Sequence, residues 1–204
     1  MDSGTLSVET LTGPGLLPHL ADLARLRIAV FREYPYLYDG DAAYEASYLA
    51  RYTRDGGAVV LVRDGAMVVG AATCLPLAAE SDPIRAPFED HGLDCARFCY
   101  FGESVLLPGW RGRGIGHAFF DAREAHARSL PGIAYACFCA VVRADDDPRR
   151  PPGYRPLDGF WRRRGYVPYP NLVCHMAWRE IGAAAETMHD LSFWLRPLGE
   201  APLP

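Results

Sequence analysis

The chain contains no lysine: all 21 of its basic residues are arginine. Schiff-base chemistry at a lysine and phosphate binding of the G-x-x-x-x-G-K-[ST] type are therefore excluded. Long apolar runs are missing too. The longest, Ile133 to Val142, has ten residues, about half of the roughly 20 that a membrane-crossing helix needs. The first residues, MDSGTLSVETLTG, have neither a basic start nor a continuous apolar stretch, so no secretory signal is read there and a cytoplasmic location is the expectation. The six cysteines, Cys74, Cys95, Cys99, Cys137, Cys139 and Cys174, include no C-x-x-C pair, and no histidine stands at zinc-finger spacing. They read as reduced, buried residues of apolar strands, and no metal site is expected. A large charge excess is also lacking, since 25 acidic against 21 basic residues leave a formal net charge of −4. Dispersed charge with a pI near 5.8 gives no general attraction to phosphate backbones or anionic lipid, so neither nucleic acid nor a membrane is expected as a partner.

What is present is a chain of 204 residues, half of them hydrophobic, long enough to bury a self-sufficient core. No internal repeat or convincing boundary divides it, and a single domain over residues 1–204 is expected. Thr5 to Thr10 alternates as a strand does. A helix is predicted from Pro14 to about Glu33, with Leu16, Leu20, Leu23, Arg27 and Val30 on its core-directed stripe. A second helix, Asp41 to about Arg54, places Tyr44, Tyr48 and Tyr52 four apart; this stripe reads first as core and second as the wall of a substrate pocket. Ala58–Val62 and Met67–Leu77 form a hairpin through Asp64-Gly65. Ala78 to Asp94, polar and carrying Pro83, Pro87 and Gly92, reads as a surface excursion or lid. There follow a strand at Arg97–Leu107, a helix at Ile115–Ser129, a doubly covered strand at Ile133–Val142, a proline-rich loop at Arg143–Pro156 and a short helix at Leu157–Arg164. Tyr166–Trp178 and Leu191–Leu195 supply the last strands.

Chemistry concentrates in the turn Pro108-Gly109-Trp110-Arg111-Gly112-Arg113-Gly114-Ile115-Gly116. A glycine-rich turn between a strand and a helix presents unpaired N–H groups and the positive end of the helix dipole, a combination that holds phosphate. The G-x-G-x-x-G dinucleotide spacing is not met, and the turn follows a strand late in the sheet instead of the first strand of a βαβ unit, so NAD and ATP are not favoured. The arrangement resembles motif A of the GNAT superfamily of acyl-CoA-dependent N-acetyltransferases, a strand, a turn [QR]-x-x-G-x-[GA] and a helix, here Arg111-Gly112-Arg113-Gly114-Ile115-Gly116 after Val105-Leu106-Leu107-Pro108. Phe160-Trp161-Arg162-Arg163-Arg164-Gly165-Tyr166 is similar to that superfamily's motif B, an aromatic pair before x-x-x-G-[FY].

The resemblance implies an α/β fold with a mixed, mostly antiparallel central sheet and helices on both faces. It implies acetyl-CoA as cosubstrate, no metal, and a small-molecule or peptide amine as acceptor. The acceptor's walls are expected from the least motif-like segments, Tyr34 to Tyr52, the loop after Leu77 and Arg143 to Tyr154, whose tyrosines suggest a partly apolar or aromatic ligand. Backbone groups at Leu106 and Leu107 would pair with the pantetheine arm, and the N–H groups of Arg111, Gly112, Arg113, Gly114, Ile115, Gly116 and His117 would hold the pyrophosphate. The acetyl group would lie where the strand ending at Leu107 separates from the strand at Ile133 to Val142. Where many relatives carry a tyrosine that assists the leaving thiolate, this chain has Trp161, whose indole N–H donates a hydrogen bond but cannot act as an acid. Tyr100 and Tyr154 are the candidate substitutes. Glu103, within an apolar strand, is the candidate base, and its alternative is a carboxylate paired with Arg97, Arg143 or a backbone donor. Its face depends on whether a bulge at Gly102 changes the strand's parity. Asp145-Asp146-Asp147 reads as a solvated loop or a contact for a cationic substrate, and Arg162–Arg164 as solvated or reaching the CoA phosphates. His126 and His175 read as structural. Alternatives to the enzyme are a CoA-binding module without activity and an interaction domain, and exposed sheet edges leave room for a homodimer.

Overall fold

The structure, a computed structural model, describes residues 6–204. Seven strands, β1 (Leu6–Thr12), β2 (Ala58–Asp64), β3 (Met67–Pro76), β4 (Phe98–Leu106), β5 (Tyr135–Val141), β6 (Val167–Trp178) and β7 (Thr187–Pro197), form one sheet in the order β1-β2-β3-β4-β5-β7-β6. Thr5, the expected start of the first strand, lies outside the described residues. Every neighbouring pair is antiparallel except β4 and β5. Three helices, α1 (Leu20–Phe31), α2 (Ala42–Leu49) and α3 (Asp82–Asp90), cover one face, and α4 (Ile115–Ser129) with α5 (Asp158–Arg163) covers the other. Leu23, Leu26, Leu49, Ile84 and Phe88 pack with Leu61 and Tyr100 on the first side. Phe120 and Ala127 meet Cys99, Phe101 and Phe138 on the second. The mixed, mostly antiparallel sheet with helices on both faces is the expected architecture.

Several elements differ from the sequence reading. Gly13–His19 is a 3₁₀ helix containing Pro18, and the α-helix begins only at Leu20. Proline has no N–H for an interior helical bond, which delays the regular helix. The second helix likewise ends at Leu49, continuing as one 3₁₀ turn through Thr53. Ala78–Asp94 is not a lid: it holds α3, whose Ile84 and Phe88 are fully or almost fully buried. Pro83 falls in the first turn, where its missing N–H is harmless, and the ring of Phe88 meets those of Phe98 and Phe193, each at a 4.9 Å centroid distance. The last strand begins at Thr187, four residues before the expected start.

The sheet opens in its middle. β4 and β5 are paired only from Phe98–Tyr100 to Tyr135–Cys137 and then part. Beyond Phe101, β4 carries a bulge: the register with β3 passes from Cys74↔Phe101 to Ala72↔Ser104, so that Thr73 alone opposes Gly102 and Glu103. The bulge read at Gly102 is thus present, and it inverts the parity. Phe101 faces α4, whereas Tyr100 and Val105 face α1 and α2, and Glu103 joins the latter side, where it meets Arg27 of α1.

Candidate active site

Two buried arginines hold the bulge, one from each face of the sheet. From α4, Arg123 donates to the carbonyls of Thr73 (3.4 Å) and Glu103 (3.1 Å) and to Ser104 Oγ (2.9 Å), with its guanidinium 4.4 Å from the Phe101 ring centroid. Desolvation lowers its pKa from the ordinary arginine value. From α1, Arg27 donates through Nη1 to Glu103 Oε1 and through Nε to Glu45 Oε2. Thr73 Oγ1 donates to Glu103 Oε2 and accepts the Glu103 N–H at 2.9 Å. Burial pulls the Arg27 pKa down, but the Coulomb fields of the groups around it, Glu103 foremost, leave it above the usual arginine value. Glu103 is therefore partnered, though by Arg27 and not by the expected Arg97 or Arg143. Arg97 lies over the Tyr135 ring, and Arg143 binds Glu180.

Gly102 is there because nothing larger fits. A Cβ at this position would stand 2.1 Å from Tyr52 Oη and 2.7 Å from Thr73 Oγ1. Gly112 and Gly114 are required for a different reason. Their φ angles are +76° and +81°, values that side-chain-bearing residues rarely adopt, while a Cβ on either would meet nothing within 4 Å. Gly114 is the N-cap of α4 without a side-chain cap; the His117 N–H closes onto Gly114 O at 2.9 Å, which leaves the N–H groups of Ile115 and Gly116 at the open end of the helix.

This turn lines a groove of about 1140 Å³ that runs along the gap between β4 and β5, larger than the roughly 300–1,000 Å³ of ordinary small-molecule pockets. Of the residues expected to hold a cofactor, Leu106, Arg111, Gly112, Gly114, Gly116, His117 and Trp161 line it. Arg113, Ile115 and Leu107 do not: Arg113 is exposed, Ile115 is buried with Phe119, and the Leu107 N–H is engaged by Val69 at 3.0 Å. Arg111 donates to Leu106 O (3.0 Å) and to Glu33 of the segment after α1 (2.8 Å), which ties the turn to α1. Trp161 packs against Phe138 and Trp194 at about 5 Å. Arg164 pairs with Asp121 and Glu124 of α4, and Arg162 lies over Trp194. The aspartate loop is occupied by its own arginines, Asp147 by Arg149 and Asp145 by Arg150. His126 binds Gly56 O, and exposed His175 binds Asp190.

A second cavity of about 600 Å³ lies on the α1–α2 side, with Arg27, Glu103, Tyr44, Tyr48 and Tyr100 in its wall. The tyrosine stripe of α2 thus divides. Tyr52 is fully buried in the core, whereas Tyr48 and Tyr44 face the cavity. Phe31, Tyr36, Gly102 and Cys139 line both spaces and form the neck where they meet. Tyr100 lines only the smaller cavity, and its hydroxyl lies 3.1 Å from Cys139 Sγ. Tyr154 lines only the groove, edge-on to Tyr34 at 4.8 Å. Tyr36, expected only as part of the Tyr34–Tyr52 wall and not as a residue of its own, is held by Trp178 Nε1 donating to its carbonyl at 3.0 Å and by the Phe31 ring at 4.5 Å. Burial raises the phenol pKa of Tyr36, Tyr100 and Tyr154. All six cysteines are free and five are buried, but Cys139 departs from the expected core role by facing the neck. Among the described residues no group of three His, Cys, Asp or Glu side chains is placed to hold a metal, and no helix is long and apolar enough to cross a membrane.

A strand that parts from its parallel neighbour, a glycine turn capping the following helix, and two cavities that share wall residues at the gap define the α/β architecture of this chain. A model of the acetyltransferase (GNAT) family matches residues 23–151, and the chain belongs to that family. The match ends before Phe160–Tyr166. A search of curated proteins gave no match. Among solved structures, the ribosomal-protein-alanine N-acetyltransferase of Brucella melitensis is 16% identical with a TM-score of 0.60, covering 94% of this chain and 99% of its own. The yncA protein of Salmonella typhimurium, solved with its cofactor acetyl-CoA, is 13% identical with a TM-score of 0.59 over 98% and 97%. Arabidopsis thaliana NAA60, in complex with a bisubstrate analogue, is 13% identical with a TM-score of 0.56 over 95% and 99%. At these identities the likeness is one of fold.

Proposed function

We propose that the chain, as one domain, is an N-acetyltransferase that moves the acetyl group of acetyl-CoA to a small-molecule or peptide amine by direct attack while both are bound. The observation that carries this reading is the neck at Phe31, Tyr36, Gly102 and Cys139, through which a groove beside a phosphate-binding turn meets a smaller cavity. Direct transfer requires donor and acceptor to be held together in attack geometry, which two joined cavities provide. The fit of CoA rests on the open space in front of Gly112 and Gly114 and on the N–H groups of Ile115 and Gly116 at the open end of α4. Acetyl-CoA supplies the activated acyl carbon.

The chain's own groups do the rest. Leu107 turns its N–H to β3, so by strand alternation Leu106 turns its N–H to the gap, where it serves an extended arm as donor while its carbonyl accepts from Arg111. Glu103, in the wall of the acceptor cavity, takes up the amine proton directly or through water. Each of its oxygens keeps a lone pair beyond the bonds to Arg27 and Thr73. Tyr36 is the hydrogen-bond donor for the departing sulfur, in preference to Tyr100 or Tyr154, because it alone of the three lines both cavities. Trp161 walls the groove.

Calorimetry with acetyl-CoA tests the groove. Binding is expected, with stabilisation of about 2.7 kcal/mol at a ligand concentration of 100 Kd, and with NADH and ATP binding more weakly. Absence of binding at millimolar CoA overturns the proposal. Binding without thiol release over an amine panel would leave a CoA-binding module instead of an enzyme.

A further inference from the structure

The smaller cavity has an uneven charge at its floor. Arg27 stands between Glu45 and Glu103, and all three side chains are at least nine-tenths buried. One guanidinium faces two carboxylates. In a site of low dielectric, an uncompensated carboxylate is costly, and a further positive charge nearby is correspondingly favoured. Neighbouring cations are committed elsewhere. Arg51 pairs with Glu80, and Arg123 lies on the opposite face of the sheet, bonded to backbone carbonyls and Ser104.

The walls supply a second and independent attraction. Tyr36, Tyr38, Tyr44, Tyr48, Tyr100 and Trp178 surround the space, and aromatic ring faces attract cations. Arg27 already uses two such faces, at 4.2 Å from the Tyr48 centroid and 5.0 Å from that of Phe31. Exposed Asp41 and Glu186 stand at the wall as well. The two arginines that line the cavity are both paired, Arg27 as above and Arg179 with Asp39 at 2.9 Å. An ammonium group entering here meets carboxylates and ring faces. A carboxylate entering here meets no unpaired cation among the described residues.

We infer that the acceptor is a cationic primary amine borne on a flat, apolar or aromatic body that carries no carboxylate. Its ammonium is drawn to Glu103 and its body fills the aromatic cavity. This rests on the assignment of that cavity to the acceptor.

The test is a calorimetric comparison of three probes that share one aromatic body: 2-phenylethylamine, the neutral 2-phenylethanol and the carboxylated phenylalanine, each titrated with and without saturating CoA. The amine is expected to bind at least tenfold more tightly than the alcohol and at least tenfold more tightly than phenylalanine. An alcohol or an amino acid that binds as tightly as the amine overturns the inference. Tyr44→Ala removes one exposed ring from α2 without touching the core, and it is expected to weaken the amine several-fold more than the alcohol. Equal losses for the two would overturn the cation contact. The CoA titration keeps the two assignments apart. CoA binding without a preference for charge sinks the inference alone, while charge preference without CoA binding sinks the reading of the groove.

Discussion

Arg27 is 18 residues from Glu45 and 76 from Glu103, and the chemistry of the site depends on the three meeting. Glu103→Gln keeps the shape of the side chain and a donor or acceptor for each neighbour but removes the base. Turnover is expected to fall about 10²- to 10⁴-fold with CoA affinity nearly unchanged, and the acidic limb of the pH–rate profile should change with it. A variant with the parent rate and profile would remove Glu103 from the chemistry and leave it as the partner of Arg27. Tyr36→Phe, assayed beside it, should lower kcat while leaving the amine KM near its parent value. The prominence of Glu103 was legible because a carboxylate inside an apolar strand demands an explanation. Its partner was not. The available signal was Arg27 itself, a charged residue on the core-directed stripe of a helix, which implies a buried counter-ion but does not say which of 25 acidic residues the fold brings there. Tyr36 carried no such mark, since it sits in a tyrosine-rich break between helices and becomes special only when β4 and β5 part in front of it.

The bulge, as an element, turns Glu103 toward one cavity and Ser104 toward the groove. Gly102→Ala tests how far it depends on that one missing side chain. The new methyl group would fall within 2.1 Å of Tyr52 Oη and 2.7 Å of Thr73 Oγ1, and both atoms belong to fully or almost fully buried residues. Overpacking of this kind costs about 1–3 kcal/mol, read as a lower urea midpoint at constant slope, and the displaced Thr73 should also loosen its bonds to Glu103. Unaltered stability with unaltered turnover would show that the strand accommodates a regular residue there. The glycine in the strand was a usable signal for this feature, as were Asp64-Gly65 for the hairpin and the glycine turn for the start of α4. α3 escaped because Pro83, Pro87 and the acidic residues of its outer face mask the Ile84–Phe88 pair, and only contact with Phe98 and Phe193 reveals that pair as core. The gap between β4 and β5, in contrast, follows from pairing registers that no local pattern contains, and it was expected only through the resemblance of the two motifs.

For the molecule as a whole, the missing lysines have a thermodynamic consequence. With arginine remaining charged throughout, tyrosine and cysteine are the side chains left to titrate between about pH 8 and 11. Burial lifts Tyr48, Tyr52, Tyr100 and Tyr166 well above the usual tyrosine value, and it lifts Cys137 likewise. Each of these groups holds its proton in the folded state at a pH where the unfolded chain releases it. The folded protein then binds more protons, so stability falls as pH rises. The contribution is complete below the unfolded values, near 8.5 for cysteine and 10 for tyrosine, and is lost progressively above them, by up to about 1.4 kcal/mol per pH unit for each such group. The urea midpoint is therefore expected to hold steady between pH 7 and 8 and to drop steeply above pH 10. Tyrosinate absorbance from the buried rings should appear together with unfolding and not before it. Gradual ionisation of all the tyrosines at their ordinary pKa, with the fold intact, would mean that these rings are open to solvent and that the aromatic core described here is wrongly assembled.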